Sequence, residues 1–224
     1  MKRYMPWFLI VSGFLILSIA IFHNVKTTYY QNKIFNEYGD YIEQLKIQDI
    51  TEALDLEAEH NFSTEYEILT EPHEVDETNI EKSGVVEPVK LFENHEVSGI
   101  IEIPKINVNA AILEGIDDRA LKYTVGHYPQ TAQPGEIGNC VLLGHRNYVY
   151  GHFFRRIDEL EEGDEVIIKK GTNTYTYVIY ESFVVNPEEI WVLDKTSDAI
   201  ITMITCTPMI TYTDRLIVRG KLIE

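Results

Sequence analysis

The chain has 224 residues, with 36 acidic against 19 basic side chains and a net charge of −17. That balance excludes a broad nucleic-acid surface, because DNA and RNA binders present a basic face. Its two cysteines, Cys140 and Cys206, are too few for a disulfide scaffold and fit a free reactive thiol at least as well as a single bridge.

Lys2 and Arg3 precede an uncharged apolar run from Met5 to Phe22. The run approaches the ~20 residues that span a bilayer as a helix. It is longer than the ~7–15 residues of a signal-peptide core, so it reads as an uncleaved anchor despite the small residues Ser18 and Ala20. The basic residues before it should stay inside. Residues 1–4 then form a cytoplasmic tip, residues 5–24 a transmembrane signal anchor, and the rest of the chain lies outside in a single-pass arrangement.

Residues 25–96 read as a helical and then an acidic, extended stalk. Ile34, Tyr38, Tyr41, Ile42 and Leu45 recur at three- and four-residue spacing, which suits a helix to about Leu56. That helix could stand on the membrane or pack on the domain. From Glu37 to Glu96 there are 18 acidic residues against Lys46, Lys82 and Lys90, a net of −15. Self-repulsion should keep the later part of this stretch extended, as a spacer.

From Val97 the pattern changes to short apolar runs broken by Gly, Pro and Asn, the signature of a mainly β domain over residues 97–224. Seven or eight short strands with short helical inserts suggest a closed or nearly closed barrel. Asp117–Lys122 should give one turn of helix and Phe153–Leu160 another. Gly126–Gly138, GHYPQTAQPGEIG, should be a loop. Cys140 sits within an apolar strand and reads as packing. The stretch from Ile200 to Thr207 alternates β-branched residues up to Pro208, which should end the strand. Arg215–Lys221 forms a second alternating strand, with Arg215, Ile217 and Arg219 on one face.

Cys206 and Arg215 can therefore meet at one end of a sheet, a thiol nucleophile beside a fixed cation. His145 directly follows the strand Asn139–Leu143 and can reach the same end, where it would take the thiol's proton or pair with the thiolate. Reference pKa values leave open whether the resting Cys/His pair is neutral or ionised. His127, in a Pro/Gly loop, and His152, at a helix start, are weaker candidates. A buried Cys206 in a core strand is the alternative.

Three segments resemble the sortases, membrane-anchored cysteine transpeptidases of Gram-positive bacteria: Gly126–Asn139, the LLGHR of Leu142–Arg146, and TMITCTP with DRLIVRG between Thr202 and Gly220. The resemblance implies a sortase-type β-barrel with His145 as acid/base, Cys206 as nucleophile and Arg215 as stabiliser of the oxyanion or substrate. Arg219 matches a position outside that triad and reads as structural. The resemblance also implies cleavage after Thr in an LPxT-type C-terminal sorting signal of surface proteins. A thioacyl intermediate would then pass to an amine of lipid II or peptidoglycan, outside the cell membrane. The GHRNYVYGHFF run, with no C-terminal membrane helix, looks most like class D. Gln130 stands where many relatives have Gly. Pro129–Ala132 resembles a sorting signal but lies in a core loop and reads as structural.

The acidic cluster Glu159, Glu161, Glu162, Asp164 and Glu165 offers oxygen ligands of the kind calcium takes, yet it reads as a solvated turn. No cofactor is expected. A zinc site from Cys140, His145 and Cys206 matches no common ligand spacing. Other readings are a membrane-tethered cysteine hydrolase, a pilin-polymerising sortase, and a non-catalytic surface-binding module.

Overall fold

The computed structural model describes residues 5–63, 90–91, 95–147 and 152–223. The first element, α1 (Met5–Ser63), is one helix of 59 residues. No proline follows Pro6 within it, and Gly13 and Gly39 are its only glycines, so nothing in the sequence breaks it. Nine strands follow: β1 (Lys90–Leu91), β2 (His95–Ile103), β3 (Val108–Glu114), β4 (Val125–His127), β5 (Gly138–Leu143), β6 (Glu165–Lys170), β7 (Asn173–Val185), β8 (Ala199–Thr207) and β9 (Asp214–Leu222). A short helix, α2 (Asp118–Tyr123), joins β3 to β4.

The strand order is β1-β2-β3-β4-β5-β8-β9-β7-β6, and β6 pairs back onto β2. That last pairing closes β2 to β9 into an eight-stranded barrel, and β1 adds to β2. The β3–β4 and β5–β8 pairs are parallel, whereas the other pairs are antiparallel. Closure leaves no long unpaired strand edge. Ile101, Ile112, Leu142, Tyr177, Met203 and Val218 fill the interior. Each comes from a different strand, so the core ties the whole barrel together.

Several boundaries differ from the sequence expectation. The helix expected to end near Leu56 runs to Ser63, so the first residues of the expected extended stalk are helical. The rest of that acidic stretch, residues 64–89 and 92–94, lies outside the described residues, as does the tip at residues 1–4. The barrel begins at His95 rather than Val97. The Phe153–Leu160 segment forms two 3-10 turns, His152–Phe154 and Ile157–Glu159, instead of one helix.

The helix packs on the barrel. Ile34 and Tyr38 are buried against Val97, Ala111 and Leu113 of β2 and β3. Full burial of Ile34 alone contributes about 2–3 kcal/mol. The Gln31 carboxamide accepts from the Ala111 backbone N–H at 3.1 Å and donates to the Tyr123 carbonyl. The Tyr38 hydroxyl accepts from the Gly171 N–H at 2.9 Å. Toward its N-terminus the same helix exposes Trp7, Phe8, Ile10, Phe14 and Leu15. Among the described residues no helix is long and apolar enough to cross a membrane. The side chains of Met5, Pro6, Leu9 and Ala20 are outside those described.

Candidate active site

The site is built by register. In the parallel β5–β8 pair, Leu143 lies beside Ile204. The Gly144 N–H donates to the Ile204 carbonyl at 3.2 Å, and the Thr205 hydroxyl donates to the Gly144 carbonyl at 2.7 Å. β5 ends at Leu143, and His145 is the second residue beyond it, following the Gly144 that these two bonds tie to β8. In the antiparallel β8–β9 pair, Cys206 is directly opposite Arg215. Opposed residues in a sheet share a face, so Cys206 and Arg215 stand side by side at this end of the sheet, where the segment carrying His145 also leaves the neighbouring strand.

Below that pair the same face carries two more tiers. Leu143, Ile204 and Ile217 form an apolar tier, and Val141, Thr202 and Arg219 the next. Successive tiers are about 6.6–6.8 Å apart, two residues of strand rise. The β7–β8 connection covers this face, and its 3-10 turn at Ile190–Leu193 carries the buried Val192. Between the turn and the strands lies a cavity of about 130 Å³, bounded by Leu143, Ile190, Val192, Leu193, Ile204 and Arg215 among others. It is mostly apolar and has a guanidinium at one end.

Arg215 is held by the loop before it, since its Nη1 donates to the Asp214 carbonyl at 3.0 Å and the Tyr212 carbonyl at 3.3 Å. His145 is half-buried. Burial lowers its pKa below the ordinary histidine value, and the nearby Asp118 carboxylate opposes that shift. A lowered pKa leaves the imidazole neutral at pH 7. Burial pushes the Cys140 thiol far up, which leaves it inert as a nucleophile. Cys206 is partly exposed, and both cysteines are free. Cys140 pairs with Ile201, five residues from Cys206 along β8 and on the opposite face, so the two thiols do not share a site.

The residues that follow His145 and Cys206 are clamped together. Arg146 is 7% exposed. Its guanidinium donates to the Thr207 hydroxyl at 2.9 Å, to the Arg155 carbonyl at 3.1 Å and to the Asp158 carboxylate at 2.6 Å. One side chain thus links the residue after His145 to the residue after Cys206. Sequence reasoning missed this, because an Arg after a strand reads as solvated.

His127 lies outside the site. It is on β4, fully buried, with Nδ1 2.8 Å from the Glu114 carboxylate and Nε2 3.0 Å from the Ala132 carbonyl. Burial raises the Glu114 pKa, but hydrogen bonds from His127, Ser98 and Gln133 outweigh it and hold the carboxyl below its usual range. This pair anchors the loop after β4. In that loop Gln130 has φ +78°, a left-handed conformation that glycine adopts without strain. His152 begins its 3-10 turn, and its side chain is outside those described.

Three carboxylates of the acidic turn after Ile157 are paired with cations. Lys105 lies 2.7 Å from both Glu161 and Asp164, and Arg156 lies 2.6 Å from Glu159. Among the described residues no three His, Cys, Asp or Glu side chains are grouped to hold a metal ion.

Residues 101–223 match the family model described as the Sortase domain. The chain is 40% identical over 111 residues to Sortase D of Bacillus subtilis, covering 50% of each protein. It is 35% identical over 149 residues to Sortase SrtE1 of Streptomyces coelicolor, covering 59% of this chain and 42% of that one. The chain therefore spans about half the length of these curated relatives. Among solved structures, the Clostridium perfringens Sortase D5 transpeptidase is 39% identical, with a TM-score of 0.53 over 58% of this chain and 80% of that one. Sortase C-1 of Actinomyces oris is 33% identical, with a TM-score of 0.54 over 57% and 74%.

Proposed function

The chain belongs to the sortase family, and on that premise we propose that it is a cysteine transpeptidase acting on an LPxT-type sorting signal. The observation that supports this reading is the Cys206–Arg215 pair across β8 and β9, with His145 two residues past the end of the adjoining β5. His145, neutral at rest, takes the Cys206 thiol proton, and the resulting thiolate attacks the Thr carbonyl of the signal to form a tetrahedral oxyanion. Arg215, fixed by two backbone carbonyls, supplies positive charge where that oxyanion develops. His145 protonates the departing amine as the C–N bond breaks, which leaves a thioacyl enzyme. An incoming amine then attacks the thioester, His145 takes its proton, and Cys206 leaves. The acceptor would be an amino group of lipid II or peptidoglycan. The apolar cavity beside Arg215 would take the aliphatic residue at the start of the signal.

The class D assignment draws its support from the similarity to Sortase D and Sortase D5. Membrane attachment through α1, with the N-terminus inside and the barrel outside, draws on the uncharged Met5–Phe22 run and its exposed apolar side chains. The test uses the full chain in detergent with fluorogenic LPxTG, LPxTA and NPxTN-type peptides, with and without an added amine. The expected result is cleavage after Thr and an amide product when amine is present. Cleavage with water as the only acceptor at every amine concentration would point to a hydrolase instead.

A further inference from the structure

The cavity beside Arg215 needs an outer wall, and the Ile190–Leu193 turn provides it. Val192 and Leu193 pack on the apolar cluster of this face, while Ile190 is 73% and Trp191 45% exposed. Its polar attachments come from Thr202 and Arg219 of the lower tier and from Asn139, one step further along β5. The Asn139 carboxamide donates to the carbonyls of Val192 at 2.9 Å and Asp194 at 3.1 Å, and accepts from the Thr202 hydroxyl at 2.6 Å. The Arg219 guanidinium donates to the Val192 carbonyl at 3.3 Å, to the Thr202 hydroxyl at 3.3 Å and to Glu181 at 3.2 Å. It also lies 5.4 Å from the ring centres of both Phe183 and Trp191, which stack on each other at 5.5 Å.

Residues from β5, β7, β8 and β9 thus converge on one short turn. Asn139 and Thr202 are buried, and buried polar groups are tolerated only when their hydrogen bonds are made. A satisfied polar cluster specifies one position for what it binds, which apolar packing alone does not. Arg219 is four residues from Arg215 on the same strand face, about 13 Å away, too far to reach the reacting carbonyl.

From this geometry, and resting on the peptide-transfer reading above, we propose that Arg219, with Asn139 and Thr202, is a positioning residue for the acyl donor. It holds the Ile190–Leu193 turn against the barrel and so preforms the groove that binds the sorting signal. Loosening the turn should weaken donor binding and leave recognition of the acceptor amine unchanged.

The test uses the full chain in detergent with Trp7→Phe as the parent, which leaves Trp191 as the sole tryptophan. Arg219→Gln, Arg219→Lys and Thr202→Val are compared with it by acrylamide quenching of Trp191 and by steady-state kinetics with an LPxTG peptide. Arg219→Gln should increase quenching and raise the donor KM about tenfold, the scale of one lost cation–π and hydrogen-bond contact. The amine KM should not change. Arg219→Lys should restore part of both effects, and Thr202→Val should show both more weakly. Quenching equal to the parent's would overturn the proposal, whatever happens to the melting temperature. So would increased quenching with an unchanged donor KM. Should the parent cleave no peptide, the transpeptidase reading fails on its own, and the quenching still decides whether Arg219 holds the turn.

Discussion

Gly144 precedes His145 and touches the core through Phe154. A Cβ at residue 144 would lie 2.7 Å from two ring carbons of Phe154 and 3.1 Å from its Cβ. Ordinary carbon contacts are about 3.5–4.0 Å, so Gly144→Ala forces a displacement of about 1 Å. Phe154 is fully buried and packs in the barrel core, so the ring has nowhere to swing. The backbone of Gly144 is tied to β8 by two hydrogen bonds, so that segment resists moving as well. If the core gives way, overpacking costs about 1–3 kcal/mol. For a barrel of this size that lowers the melting temperature by about 5–10 °C. If the backbone gives way, His145 shifts with it, and a misplacement near 1 Å of a catalytic group costs about a hundredfold in rate. Urea unfolding followed by circular dichroism reads the first effect, and kcat/KM for an LPxTG peptide reads the second. Adding Phe154→Leu should relieve the strain, with a coupling above about 0.5 kcal/mol in a double-mutant cycle. An alanine variant as stable and active as the parent would refute the steric argument. So would a loss that Phe154→Leu does not relieve.

Three further outcomes are expected. Thr207→Val removes the hydroxyl that accepts from the buried Arg146. A hydrogen bond to a charged group contributes about 1.5–3 kcal/mol, so stability to urea should fall by about 1–2 kcal/mol after discounting for partial exposure, with a lower kcat, while Thr207→Ser retains both. His145 has a folded pKa below its unfolded value, because burial disfavours the cation and Asp118 only partly offsets this. Its contribution to stability is therefore complete above the unfolded pKa of about 6.5 and is lost as pH falls through the lower folded value. Urea unfolding at about pH 7 and pH 5 should show a larger acid loss in the parent than in His145→Gln, and Asp118→Asn should move the His145 NMR titration midpoint further down. Gln130→Gly should raise stability by about 0.5–1 kcal/mol in the same unfolding assay, because the native φ at residue 130 is left-handed.

The strands that carry the chemistry were the most legible part of the sequence. In β8 and β9, β-branched alternation and the Pro208 stop act within a few residues, so local physics fixes both strands and the pairing of Cys206 with Arg215. The position of His145 just past the end of β5 was legible for the same reason, since Gly144 follows a compact apolar run. Interactions that join distant segments were not. Nothing in the local sequence marks Gln31, yet it is buried because the backbone of Ala111 and the carbonyl of Tyr123 satisfy it. His127 reads as a loop residue between Gly126 and Pro129, but the parallel β3–β4 register brings Glu114 beside it. Arg219 reads as a structural arginine on the Arg215 face, and its partners come from strands and a turn that no spacing rule connects to it. In each case the deciding partner lies in another element of the fold.

The most direct test of the central claim is intact-mass and peptide mapping of the full chain mixed with an LPxTG peptide and no amine. The account predicts a single adduct equal in mass to the peptide acylated through its Thr, located on Cys206, absent in Cys206→Ala and discharged as an amide when an amine is added. An adduct on Cys140, or peptide cleavage that persists in Cys206→Ala, would contradict it.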